Sequence, residues 1–198
     1  QEPVRRPVLF LCCFFAYLWN SQTIVGKNME KKYILSELFT LIPAEYYSPQ
    51  QGEAALRGQF ALQGNHVFGR YDFEQANAVV AYAIPQENSG NEGGGQKCNH
   101  VPLVAKLLEL TNEIAHYNKV IFHYSSKKNI SHIVIAAGNE LRLANSFKAD
   151  SFESALYFLF LSIQQLQMNP KQCTVMVCFE IDRQQEETIA RFFKGVET

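Results

Sequence analysis

The sequence is short of charge. Only 19% of its 198 residues are Asp, Glu, Lys or Arg, and the two signs nearly cancel, to a net charge of −1. Ordinary globular domains carry about a quarter. The deficit excludes a long solvated tail, and the balance excludes the broad basic footprint that grips phosphate backbones. No basic run exceeds the two residues of Lys127-Lys128 and its equals, so no nucleic-acid partner is expected. Cysteine is sparse as well: Cys12, Cys13, Cys98, Cys173 and Cys178, an odd number with no CxxC pair. That pattern excludes a disulfide frame and the paired ligands of a structural zinc site, and it fits buried thiols in a reducing, cytoplasmic setting.

Motifs for chemistry are missing too. Gly93-Gly94-Gly95 is followed by no GK[ST] and does not spell GxGxxG. It sits in the one low-complexity stretch, Gln86 to Lys97, which reads as a linker. No Ser or Cys stands in a GxSxG elbow. Glu113 and His116 make a single ExxH step, whereas a carboxylate di-iron site needs a second copy and further glutamates from facing helices. No catalytic, cofactor-binding or metal-binding residue is therefore assigned.

What is present is apolar. Hydrophobic residues make up 47% of the chain and aromatic ones 13%, enough to build packed cores. Arg5-Arg6 and the run Val8 to Trp19 resemble the start of a signal peptide, yet no small-x-small cleavage site follows and the run is too short to span a bilayer. It is expected to be a strand or strand pair in the first sheet, and a membrane is not an expected partner.

Further along, Lys32 to Pro43 reads as a strand, and Ser48 to Leu62 as a helix opened by Ser48-Pro49. Asn77 to Ile84 is a strand. Pro102 to Tyr117 is an amphipathic helix with the stripe Leu103, Leu107, Leu110 and Ile114. The second half is a meander, Lys119 to Tyr124, Ile130 to Ala137 and Glu140 to Phe147, whose last link Gly138-Asn139 is a two-residue hairpin signal. A helix follows over Ser151 to Met168, apolar nearly all round and so expected to be covered on several sides. A strand over Cys173 to Ile181 and a final helix capped by Asp182 complete the order β-β-β-α-β-α. The first half repeats that order less cleanly.

Phe39 to Pro43, Asn77 to Pro85, and above all LRLANSF (141–147) followed by SALYFLFLSIQQLQMNP (154–170) resemble an uncharacterised Bacteroidetes family, the domain of unknown function numbered three-eight-two-two. The resemblance implies an α/β, actin-like ATPase-type fold with two ribonuclease-H-like lobes, residues 1–117 and 118–198, similar to pilus-assembly and secretion proteins of that superfamily. Actin-like ATPases carry Asp and Gly in the first hairpin of each lobe, because glycine lets backbone N–H groups approach phosphates and Asp holds the metal. Here the turn of the second lobe, His123 to Asn129, has neither. Trp19 to Gln22 lacks Asp, and Glu180 to Gln184 lacks the glycine pair.

The fold is therefore expected to be degenerate, with no cofactor, and the chain to be a non-catalytic interaction or scaffold module with protein partners. The alternatives are an atypical nucleotide binder or ATPase, and an envelope or pilus-type assembly component. His123 and His132 straddle the hairpin. A three-residue loop ending at Asn129 would send their rings to opposite faces, so no metal site is expected there.

Overall fold

The computed structural model describes residues 32–86 and 100–198; the run Val8 to Trp19, the turn Trp19 to Gln22 and the triple glycine lie outside them. The first half contains β1 (Lys32–Ile34), β2 (Phe39–Pro43), α1 (Pro49–Gln59), β3 (His66–Phe73), β4 (Ala78–Pro85), β5 (His100–Pro102) and α2 (Leu103–Glu113). Strands β2, β4 and β3 form an antiparallel sheet in that order, while β1 and β5 pair in parallel. Ser48 caps α1, its Oγ accepting from the Gln51 N–H at 3.2 Å, and Pro49 occupies the first turn, where a missing N–H costs nothing. Asn77 turns the chain from β3 into β4 at φ 47°, a left-handed conformation that asparagine tolerates.

Two elements differ from the sequence reading. Lys32 to Pro43 is two strands, not one. Between them the Leu38 N–H donates to Ser36 Oγ (3.1 Å) and the Phe39 N–H to the Glu37 carbonyl (3.0 Å), so local bonds replace the ladder. Strand β3 was not anticipated, because Gly69, Arg70 and Asp72 interrupt its apolar residues. Gly69 faces Tyr82 across the pair, and a Cβ there would collide with the Tyr82 ring. That ring is anchored by its hydroxyl donating to the His100 carbonyl at 2.8 Å.

The second half follows its expected order and adds a strand. A meander of β6 (Asn118–Ser125), β7 (Ile130–Ala137) and β8 (Glu140–Lys148) leads to α3 (Phe152–Gln165), β9 (Thr174–Val177), α4 (Arg183–Ala190) and a final short β10 (Gly195–Glu197). Gly138 takes φ 58° in the two-residue turn that pairs Ala137 with Glu140. Strand β9 lies parallel to β6, and β10 parallel to β9, giving the order β10-β9-β6-β7-β8. Three antiparallel strands followed by two parallel ones make the ribonuclease-H-like pattern.

The layers explain the burial. Helices α3 and α4 cover one face of the five-stranded sheet, where Phe122, Ile133 and Val175 meet Leu159, Ile163 and Ile189. Helix α2 covers the other face and simultaneously packs on the three-stranded sheet, joining Val80, Tyr82 and Ile84 to Ile121 and Val134 in one cluster. Helix α1 closes the far side through Leu56 against Ala81 and Ala83. The two long apolar helices thus exchange expected roles. Helix α2, read as having one stripe, is buried from Leu103 to Ala105 and again at Leu107, Leu108 and Leu110. Helix α3, read as enclosed, buries one face and leaves Tyr157 62% exposed.

Candidate functional site

Open α/β sheets collect ligands outside the carboxyl ends of their strands, where the strand order reverses. In the five-stranded sheet that point lies between β6 and β9, which run parallel and end side by side. The Cys178 N–H donates to the Phe122 carbonyl at 2.8 Å, extending the ladder by one residue before the chain turns away at Phe179. The Phe179 ring then stands edge-on to Phe122 (5.4 Å), Tyr124 (6.0 Å) and His123 (6.3 Å), and lies 6.5 Å from Phe152. Phe122 and His123 point to opposite faces of the sheet, so Phe179 caps its end.

The hairpin beyond β6 is a four-residue turn, Ser126 to Asn129. Asn129 alone takes positive φ (51°), and its carbonyl accepts from the Ala149 N–H at 2.9 Å. Ser125 pairs with Ile130, which leaves His123 directly opposite His132. The expectation that the two rings would part is therefore overturned. The turn absorbs one residue more than a three-residue loop, and the register returns to that of a two-residue one.

Both imidazoles are buried, with centroids 5.6 Å apart. His132 Nε2–H donates to the Ser36 carbonyl (3.1 Å), and Phe39 stacks on the ring at 6.5 Å. Nδ1 of each histidine has no hydrogen-bond partner among the described residues. Burial holds His123 down to about 3, with neighbouring His132 adding to the effect. Burial likewise lowers His132 to about 4, against a smaller opposing pull from the Ser36 carbonyl. Cys178, next along the ladder from His123, is buried, and burial pushes its thiol up to about 12. Both rings are thus neutral over the ordinary pH range. Among the described residues no three His, Cys, Asp or Glu side chains are grouped to hold a metal ion.

This row is covered by the segment between β1 and β2. Ser146 Oγ donates to the Glu37 carbonyl (3.4 Å), and Lys148 Nζ lies 3.5 Å from Glu37 Oε1. The segment from Ser36 to Leu38 therefore straps the first half across β7 and β8, directly over His132.

Residues 31–194 match the family described as Protein of unknown function (DUF3822). The chain belongs to that family. Among solved structures it is similar to a Bacteroides thetaiotaomicron protein described as having an actin-like ATPase fold and unknown function, with a TM-score of 0.67 and 19% identity. The match covers 83% of this chain and 66% of that one, so the chain spans just under two thirds of that protein's length. No curated protein matches it in sequence. The fold of this DUF3822 chain is of the actin-like ATPase type, in agreement with the strand order of its second sheet.

The other residues singled out in sequence fall apart in space. Helix α2 ends at Glu113, so the ExxH step does not lie on one helix. Glu113 faces Lys106 at 3.9 Å, whereas His116 Nε2 lies 2.8 Å from Glu197 Oε1 and ties the α2–β6 connection to β10. Asp182 serves as the cap of α4, its Oδ1 accepting from the Gln185 N–H at 2.8 Å while the Gln185 side chain accepts from the Asp182 N–H. Phe179 escaped the sequence reading, because a strand over Cys173 to Ile181 made it one apolar residue among several. No pattern in the sequence marks it, because the strand's end is set by pairing: Val177 opposite Phe122 closes the parallel ladder and leaves Phe179 at the sheet's carboxyl end.

Proposed function

We propose that this DUF3822 chain is a non-catalytic protein-interaction module on a degenerate actin-like fold. The observation that carries the reading is Phe179. Where glycines would let backbone N–H groups approach a phosphate, a phenyl ring packed on Phe122, Tyr124 and His123 fills the end of the sheet. The adjoining turn, Ser126 to Asn129, supplies neither Asp to hold a metal nor Gly to admit a phosphate. A cytoplasmic, reducing location accords with the free buried thiols of Cys173 and Cys178. No helix among the described residues is long and apolar enough to cross a membrane.

The test is a thermal melt with Mg-ATP. A ligand present at about a thousandfold over its dissociation constant adds about 4 kcal/mol to stability. Millimolar Mg-ATP is expected to leave the melting temperature unchanged. An ATP-dependent rise would overturn the reading in favour of an atypical nucleotide-binding protein.

A further inference from the structure

On the outer face of the five-stranded sheet, α3 and α4 leave between them a groove of about 440 Å³. Phe152, Leu156 and Phe160 supply its apolar lining, Tyr157 stands beside them, and Glu153 and Asp182 contribute carboxylates. The apolar surface continues past the groove. Phe192, 48% exposed, has its ring 5.0 Å from Phe160, so two of the five exposed large hydrophobic side chains among the described residues, Tyr157 and Phe192, border this one face.

The charge here has one sign. Among the described residues no Lys or Arg lines the groove. The cation at the start of α4, Arg183, is engaged by Glu187 at 2.9 Å. Asp182 gives its Oδ1 to the helix cap, and neither it nor Glu153 has an ion-pair partner among the described residues. Asp150 and Glu153 act together on the nearby Tyr124 hydroxyl, raising its pKa in addition to the larger effect of burial, which places a second carboxylate in the same field. An aromatic floor beside carboxylates that have no cationic side chain paired to them among the described residues is complementary to an apolar side chain next to a cation, whose aliphatic stem also covers apolar surface.

We propose that the α3–α4 groove docks a short segment of a partner protein in which a large apolar side chain sits on Phe152, Leu156 and Phe160 and an adjacent Lys or Arg faces Glu153 and Asp182. The proposal rests on the reading of the chain as a protein-binding module, and it names where and what the module binds. The site lies on the opposite face of the sheet from α2, and its inner end reaches the sheet's carboxyl end, where Phe152 lies 6.5 Å from Phe179.

The probe is a library of short random peptides displayed on phage and panned on the full chain. Enriched peptides are then titrated by fluorescence anisotropy against the wild type, Glu153→Lys and Tyr157→Ala. Both side chains are exposed, so both variants keep the fold, and circular dichroism melts verify this. The expected peptides carry Lys or Arg beside a large apolar residue. They bind each variant about tenfold or more weakly and lose affinity as salt is raised. Enriched peptides lacking a cation, or bound by either variant as tightly as by the wild type, overturn the groove assignment and leave the module reading standing. Failure to enrich any peptide overturns the assignment too, as does self-association abolished by Tyr157→Ala, which would give the face to a second copy of the chain. The module reading fails separately, by an ATP-dependent thermal shift.

Discussion

His123 and His132 are kept neutral by burial, and Nδ1 of each has no hydrogen-bond partner among the described residues. The other titratable groups around them do not offset a charge. Cys178 stays a thiol, and Glu37 of the overlying strap faces Lys148. Unfolded, a histidine titrates near 6.5; folded, these two titrate at about 3 and about 4. Because the folded values are depressed, the unfolded chain takes up protons first as pH falls. Stability is complete above about pH 7 and drops below about 6.5, by roughly 1.4 kcal/mol per pH unit for each histidine, until the folded values are reached. Denaturant melts at pH 7 and pH 5 are expected to show this loss. His123→Phe should remove about half of the part due to the pair, whatever its effect at pH 7. Equal losses in wild type and variant would mean that the His123 ring is already reached by solvent in the native state.

At the scale of elements, α3 supports one face of a sheet and presents the other outward. Leu159 is fully buried and packs in the cluster with Phe122, Ile133 and Val175, so Leu159→Ala is expected to cost about 2–5 kcal/mol. Gln165→Ala, at the exposed end of the helix, should stay within about 0.5 kcal/mol. Chemical denaturation of both variants checks this, and wild-type stability for Leu159→Ala would mean that α3 is an interface rather than a core helix. The existence and start of α3 were legible in the sequence, although Ser151 rather than Asp150 caps it and it ends at Gln165 rather than Met168, before Gln167 takes φ 53°. The meander was legible too, because turn chemistry at Gly138-Asn139 is local. Which helix lay between two sheets was not legible. Periodicity reports apolar positions, and α3 spends its surplus aromatics on Phe147 and Phe193 at its flanks rather than on a second sheet. The histidine register failed for a related reason, since it depended on a turn whose length the residues Ser126 to Asn129 leave open. As for the candidate site, the missing Asp and Gly of the hairpin could be read directly, whereas Phe179 became visible only once β9 was seen to end at Val177.

At the scale of the whole molecule, the two sheets share α2. Its side chains Leu107, Leu108 and Leu110 lie in one cluster with Val80, Tyr82 and Ile84 of β4 and with Ile121 and Val134 of β6 and β7. Removing a leucine there loosens the packing of both sheets at once, because both place side chains in the cluster it fills. The strap from Ser36 to Leu38 adds a second tie through His132 and Ser146. The chain is therefore expected to unfold in one cooperative step, with calorimetric and van't Hoff enthalpies equal. Leu108→Ala, at a fully buried position, should cost about 2–5 kcal/mol. For a chain of this size each kcal/mol moves the midpoint by about 2–4 °C, so the whole peak should fall by roughly 4–20 °C without splitting. Scanning calorimetry decides between this and its rival. If the two sheets were independent units, two transitions would separate and Leu108→Ala would move only one, showing that α2 belongs energetically to a single sheet.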